Sequence, residues 1–160
     1  MNNSENLAKE WHNRALVALT AHYASARHYN DRNSQLGISA LILTTIVGTT
    51  VFTSLGTSNN DLLKIATGIA TVIAVVLSAL QTFLKYSEKA ERCKTIAARY
   101  SSIGRELEII LANPSSIDKT FLEQIRVKLD QADTDAPSIP DSIRDDARNK
   151  YRKNSSANNG

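Results

Sequence analysis

Between Arg32 and Asp61 the chain carries no charged residue, and between Lys64 and Lys85 it again carries none. The two runs, 36–55 and 65–84, each hold about 20 apolar or small residues, enough for a helix roughly 30 Å long, the thickness of a bilayer's hydrocarbon core. The core helix of a water-soluble protein keeps a polar face, and an apolar stretch of about 10–14 residues would suit it better. Two full-length uncharged runs joined by the short polar segment 56–64 therefore predict a transmembrane helical hairpin. The expected fold is all-α: a two-span hairpin extended by long cytoplasmic helices that pack as a helical bundle.

The flanks set an expected orientation. Arg27 and Arg32 precede the first run, and Lys85, Lys89, Arg92 and Lys94, followed by Arg99 and Arg105, come after the second. The connecting segment offers only Lys64. Positive residues stay on the cytoplasmic side, so both termini are expected there. This placement also accounts for the formal charge of +3 without invoking nucleic acid. Length bounds the chain to one domain. The single cysteine, Cys93, excludes an internal disulfide framework and suits a reducing compartment. The polar, mixed-charge N-terminus does not have the pattern of a secretory signal.

Residues 4–33 read as an amphipathic helix with Ser4 at its N-cap. Ala8, Trp11, Ala15, Leu19, Tyr23 and Ala26 recur at steps of three and four, on one expected face. No proline separates this helix from the first span, and Gly37 falls at the expected membrane edge, so the helix is free to continue into it. His12, His22 and His28 are not at i, i+4 spacing and have no carboxylate or cysteine cluster beside them. They are expected at the interface or on the helix surface.

The first span is rich in hydroxyls, including Thr45, Thr49 and Thr53. The second carries Ala66, Ala70, Ala74, Ser78 and Thr82 at a strict spacing of four. Small residues at that spacing let helix backbones approach closely. Packing of the hairpin against itself explains them, with each threonine bonded to its own preceding turn. Packing between copies, with Thr45, Thr49 and Thr53 lining a wet path, is the sharper alternative. No ionisable residue lies in either span, which argues against a selective transporter or proton relay.

Helical periodicity continues over 85–112. Tyr86, Ala90, Cys93, Ala97, Tyr100, Ile103, Leu107 and Ile110 form a stripe averaging close to 3.5 residues per step, like a coiled-coil seam. Tyr100, Ile103 and Leu107 are its candidate association positions, and Cys93 is expected to be a small core residue. No proline interrupts 62–112, which would extend roughly 75 Å if it were one helix; the expected division is a span over 65–84 and a cytoplasmic helix over 85–112. Asn113-Pro114 stops it. Ser115 and Asp118 have capping-box spacing for a helix over 116–133 with an apolar face of Phe121, Leu122, Ile125 and Leu129. The segment 137–140 is an extended break, 141–153 a last charged helix, and 154–160 an expected disordered tail. Both late helices are expected to fold back on the long ones.

Chemistry-bearing motifs are absent. There is no glycine-rich phosphate loop, cysteine pair or His-Glu-x-x-His zinc motif, and no Gly-x-Ser-x-Gly. Asp130, Asp133 and Asp135 lack the glycine and terminal glutamate of a calcium loop. No basic face interleaved with aromatics suggests nucleic-acid binding. Neither an enzyme, a metal site nor a cofactor is expected.

The order of parts resembles a known family. An amphipathic helix precedes a tight two-span hairpin. A helix then reads Lys89-Ala90-Glu91-Arg92-Cys93 through Ala97-Ala98-Arg99-Tyr100 to Gly104-Arg105-Glu106-Leu107, and Pro137-x-x-Pro140 with a final helix closes the chain. From about Ala8 to Tyr151 this is similar to the SLATT family of bacterial two-span effectors, so residues 1–153 form one SLATT-like domain. The resemblance implies an effector of an antiviral conflict system in the bacterial inner membrane. It would form homo-oligomeric pores and cause growth arrest or abortive infection. With no sensor domain evident here, the trigger is expected from a separate sensor or signal-producing enzyme. A membrane anchor for a cytoplasmic partner is the alternative from another class. A phage holin is a third, disfavoured by the long cytoplasmic portion.

Overall fold

A computed structural model describes the backbone of residues 3–54 and 61–157, and side chains within these ranges except at 50–54, 61, 63 and 154–157. All regular structure among the described residues is helical: α1 (Asn3–Ser54), α2 (Asp61–Leu84), α3 (Tyr86–Ala112), a 3₁₀ turn (Pro114–Ser116), α4 (Lys119–Asp135) and α5 (Asp141–Ala157). They form two compact units, Met1–His28 with Lys89–Gly160 and Tyr29–Glu88. We call these the bundle unit and the helix-pair unit. Segment 4–33 and the first span are one continuous helix, α1, as the lack of any breaker between them allows.

The bundle unit packs the start of α1 against α3 and α4. Its core joins Ala8 and Ala15 of α1, Ile96, Tyr100, Ile103 and Leu107 of α3, and Ile125, Leu129 and Ala132 of α4. Alanines on α1 let the larger α3 side chains come close to its backbone. The expected α1 face is kept at Ala8, Ala15 and Ala26 but lost at Tyr23, which is 43 % exposed. Successive steps of four rotate around a straight helix by about 40° each, so from Ala15 through Leu19 to Tyr23 the series drifts off the face. Ala21, His22 and Ser25 are buried in their place.

Asn113-Pro114 ends α3 as expected, but the next helix starts later than the capping-box spacing suggests. Asp118 is the N-cap of α4, and its carboxylate accepts a 2.6 Å hydrogen bond from the Phe121 amide. Ser115 lies in the 3₁₀ turn instead, because Pro114 favours a tight turn before the chain re-enters a helix. The segment 136–140 is extended, and the Pro140 carbonyl accepts from the amides of Ile143 and Arg144 at the start of α5. Ile139 and Ala147 bury the apolar side of this segment. α5 runs to Ala157, so Asn154–Ala157, expected in a disordered tail, are helical. The remainder of that tail, 158–160, lies outside the described residues.

In the helix-pair unit α1 and α2 run antiparallel. The Tyr29 and Tyr86 rings stack at 6.1 Å, and Gly37 faces Gln81. A Cβ at Gly37 would sit 3.1 Å from Gln81 Nε2, so the missing side chain allows close approach at this level. Ala40 on α1 and Ala74 on α2 are buried at 7 % and 3 % exposure.

The stretch 62–112 is not one uninterrupted helix. It breaks at Lys85, whose φ of 48° lies in the left-handed region. Neither glycine nor proline marks this break, so helix periodicity alone reads straight through it. A non-glycine residue in this region is strained by about 1–2 kcal/mol. Lys85→Gly is therefore expected to leave stability unchanged or raise it by up to about 1 kcal/mol. Ala98→Gly, at an exposed position inside α3, should lower it by about 1 kcal/mol. Urea unfolding in detergent micelles compares the two, and equal losses would mean that position 85 is ordinary helix.

Candidate functional site

The helix-pair unit holds most of the molecule's exposed apolar surface. Among the described residues, every exposed large apolar side chain except Leu7, Tyr23, Ile109 and Val127 belongs to it. Leu41, Leu62 and Phe83 are 67 %, 79 % and 82 % exposed. Among the described residues, one candidate span, within Lys64–Ala112, is long and apolar enough to cross a membrane, and only 6 % of its apolar window is buried within the chain. A soluble core helix would be covered there; this one is bare. The other expected span forms α1 up to Ser54. Leu55 and the loop residues 56–60 lie outside the described residues, so a second crossing rests on the sequence pattern.

The small-residue stripe does not share one environment. Ala66 and Ser78 are exposed, Ala70 is half-buried and Ala74 is buried. The same rotation of about 40° per step of four carries the stripe around α2, so only part of it meets α1. Ala74 thus serves packing within one chain, whereas Ala66 and Ser78 lie on open surface. Ala74→Leu is expected to overpack the helix pair and lower its stability by about 1–3 kcal/mol. Ala66→Leu should be close to neutral in dilute micelles, and unfolding of the two variants provides the comparison.

Thr45 and Thr49 are exposed on α1, while the Thr53 side chain lies outside the described residues. The Thr45 hydroxyl donates to the Leu41 carbonyl at 2.8 Å, and that of Thr49 to the Thr45 carbonyl at 2.7 Å. Thr44, Thr71 and Thr82 bond the preceding turn in the same way. These donors need no partner from another helix, so hydrocarbon and a wet path are both tolerable surroundings.

The basic residues expected to set orientation, Arg27, Arg32, Lys85, Lys89, Arg92 and Lys94, are all exposed. Lys85 pairs with Glu88 at 3.2 Å and Lys94 with Glu91 at 3.7 Å. Exposed pairs of this kind contribute about 0–1 kcal/mol and leave the cations accessible to anionic surroundings.

In the bundle unit, Tyr100, Ile103 and Leu107 are at most 3 % exposed. The stripe read as an association seam is covered by α1 and α4 of the same chain, which leaves it no free surface for a second copy. Cys93 is fully buried, as its place on the stripe suggests, and burial raises its thiol pKa. Such a thiol is unreactive. Among the described residues no group of His, Cys, Asp or Glu could hold a metal ion.

His22 departs from its expected surface position. It is 5 % exposed and stacks on Tyr100 with ring centroids 5.8 Å apart, and its Nδ1 has no hydrogen-bond partner. The Tyr100 hydroxyl donates to the Asp133 carboxylate, which also accepts from Arg14 Nη2 at 2.5 Å. Burial, then this hydrogen bond, raise the Tyr100 pKa far above its ordinary value. Burial, followed by the Arg144 charge, lowers that of His22 against an opposing effect of Asp133. Only placement of Tyr100 and Asp133 against α1 reveals this cluster, since the histidines have no informative spacing.

Folding therefore disfavours the protonated form of His22, while the unfolded chain takes up a proton below about pH 6.5. The unfolded state binds more protons there, so stability falls as pH drops through and below that value. His22→Gln is expected to flatten this acid-side loss, and melting curves between about pH 5 and 8 would show it.

A bare apolar helix pair attached to a polar helical bundle defines the class: a helical membrane protein. The profile of the SMODS and SLOG-associating 2TM effector domain family 4 matches residues 5–159, and the chain belongs to this SLATT family. No curated protein and no solved structure matches it significantly.

Proposed function

We propose that this protein is the membrane effector of a bacterial anti-phage conflict system, acting by permeabilising the inner membrane. The observation that carries the reading is the uncharged, uncovered apolar surface of the helix-pair unit, in a chain whose family is one of two-span effectors. Two spans enclose no pore alone, so several copies assemble. Ala66, Ala70 and Ser78 offer small-residue contacts between copies, and the face of Thr45, Thr49 and Thr53 lines the wet path. Both termini lie in the cytoplasm, as the basic flanks favour. A separate sensor or signal-producing enzyme supplies the trigger, and membrane leakage arrests growth.

A second reading, a non-conducting anchor for a cytoplasmic partner, is favoured by the local bonding of the threonines and the burial of Ala74 within one chain. Induced expression in bacteria, followed with a potential-sensitive dye and an impermeant DNA stain, tests both. The pore reading expects depolarisation, with the neighbouring genes present if a trigger is needed. It also expects a severalfold loss of depolarisation in Ala66→Leu at equal membrane insertion. An intact potential under both conditions would leave the anchor.

A further inference from the structure

The bundle unit contains a cavity of about 760 Å³ between α1, the segment after α4 and α5. Its size lies within the range of small-molecule sites, roughly 300–1,000 Å³. Val17, Ala21 and Ile139 give it an apolar side. Arg14, Arg144 and Arg148 line the other, with Asp133 as the carboxylate among them. Asp133 offsets Arg14 and Asp141, just outside the lining, offsets Arg144, which leaves Arg148 as the unmatched charge.

The arginines are not equivalent. Arg14 is held by Asp133 at 2.5 Å, and Arg144 reaches Asp141 at 3.3 Å. Arg148 has no ion-pair partner among the described residues. Arg144, Arg148 and Tyr151 follow one another at steps of four and three, which places them on one face of α5. That face is turned toward α1, because the Tyr151 hydroxyl donates to Asn13 Oδ1. His22 belongs to the same cavity wall and is the second, independent sign: it is nine-tenths buried, with a sealed ring nitrogen that has no partner. Buried polar atoms in folded chains are rarely left so.

We propose that this cavity binds a small organic phosphate. Arg144 and Arg148 grip the phosphate, and the Val17 and Ile139 side takes the organic body, with His22 in the cavity wall. A guanidinium fork matches phosphate oxygens in pairs, and the negative charge of a phosphate ester offsets the unmatched Arg148. The volume is too large for a bare phosphate ion, and the apolar side would be wasted on one. Bound ligand bridges α1 and α5. The site is independent of whether the helix-pair unit conducts.

The test uses the full chain in uncharged detergent micelles, with adenosine 5′-monophosphate and water-soluble dihexanoyl phosphatidylglycerol as probes. At least one should raise the melting temperature saturably and slow amide exchange over residues 136–151. Arg148→Gln, at an exposed position, should melt like the parent without probe and bind roughly tenfold or more weakly. Arg148→Lys should recover part of the loss. A response to the nucleotide alone assigns a free phosphate ester, and to the lipid alone a headgroup. The proposal is overturned if neither probe binds, if Arg148→Gln binds equally well, or if sodium chloride at matched ionic strength gives the same stabilisation.

Discussion

The structure depends on how little protein covers the described large apolar side chains of α2 and the second part of α1. In water, an exposed apolar surface of this extent is a strong drive to associate or precipitate; in hydrocarbon it is at equilibrium. Hydrocarbon imposes its own rule, since no solvent is there to satisfy a free backbone amide or carbonyl. Continuous helix over 36–54 and 65–84 meets that rule, and threonines bonded to their own preceding turns meet it for side-chain donors. Little is then left to hold the two helices together except close contact. Gly37, Ala40 and Ala74 provide this by being small where the helices meet.

The bundle unit is stabilised in the ordinary aqueous way. Leu107 and Ile125 are fully buried, and the core is continuous from α1 through α3 to α4. Around it run bonds between helices far apart in sequence: Arg14 to Asp133, Arg99 to Asp135, Lys128 to Glu106 and Tyr151 to Asn13. Being exposed, the ion pairs contribute little energy each. Their effect is on register, because they fix which face of α4 and α5 is turned inward. Tyr100 is the exception: its ring is core and its hydroxyl reaches Asp133, so it joins the apolar interior to the polar cluster.

This division of labour bears on association. Packing α3 against α1 and α4 occupies the stripe that a coiled-coil partner would need. Under the proposed assembly, contacts between copies would fall to surface the chain leaves open, of which the helix-pair unit has the most among the described residues. The bundle is left with a different capacity, a charged cavity bounded by α5, whose arginines are not fully matched by carboxylates. Effector and ligand-holding roles would thus sit in separate compact units of one short chain.

By itself the amino-acid sequence determined the helical class, the two uncharged runs, the helix end at Asn113-Pro114 and the family. Each follows from local composition or from periodicity along one helix, and needs no knowledge of neighbours. It also implied that the first helix runs unbroken into the first span. Tertiary structure alone decided which stripes are used and by what. Stepwise drift around a straight helix put Ala74 inside and Ala66 outside, and it took Tyr23 off the face that His22 and Ser25 joined. The burial of His22 and its meeting with Tyr100, Arg144 and Asp133 join residues more than 70 positions apart, and no pattern within one segment encodes such a meeting. The break at Lys85 was illegible for a related reason: neither glycine nor proline marks it, and a left-handed lysine runs against its own preference.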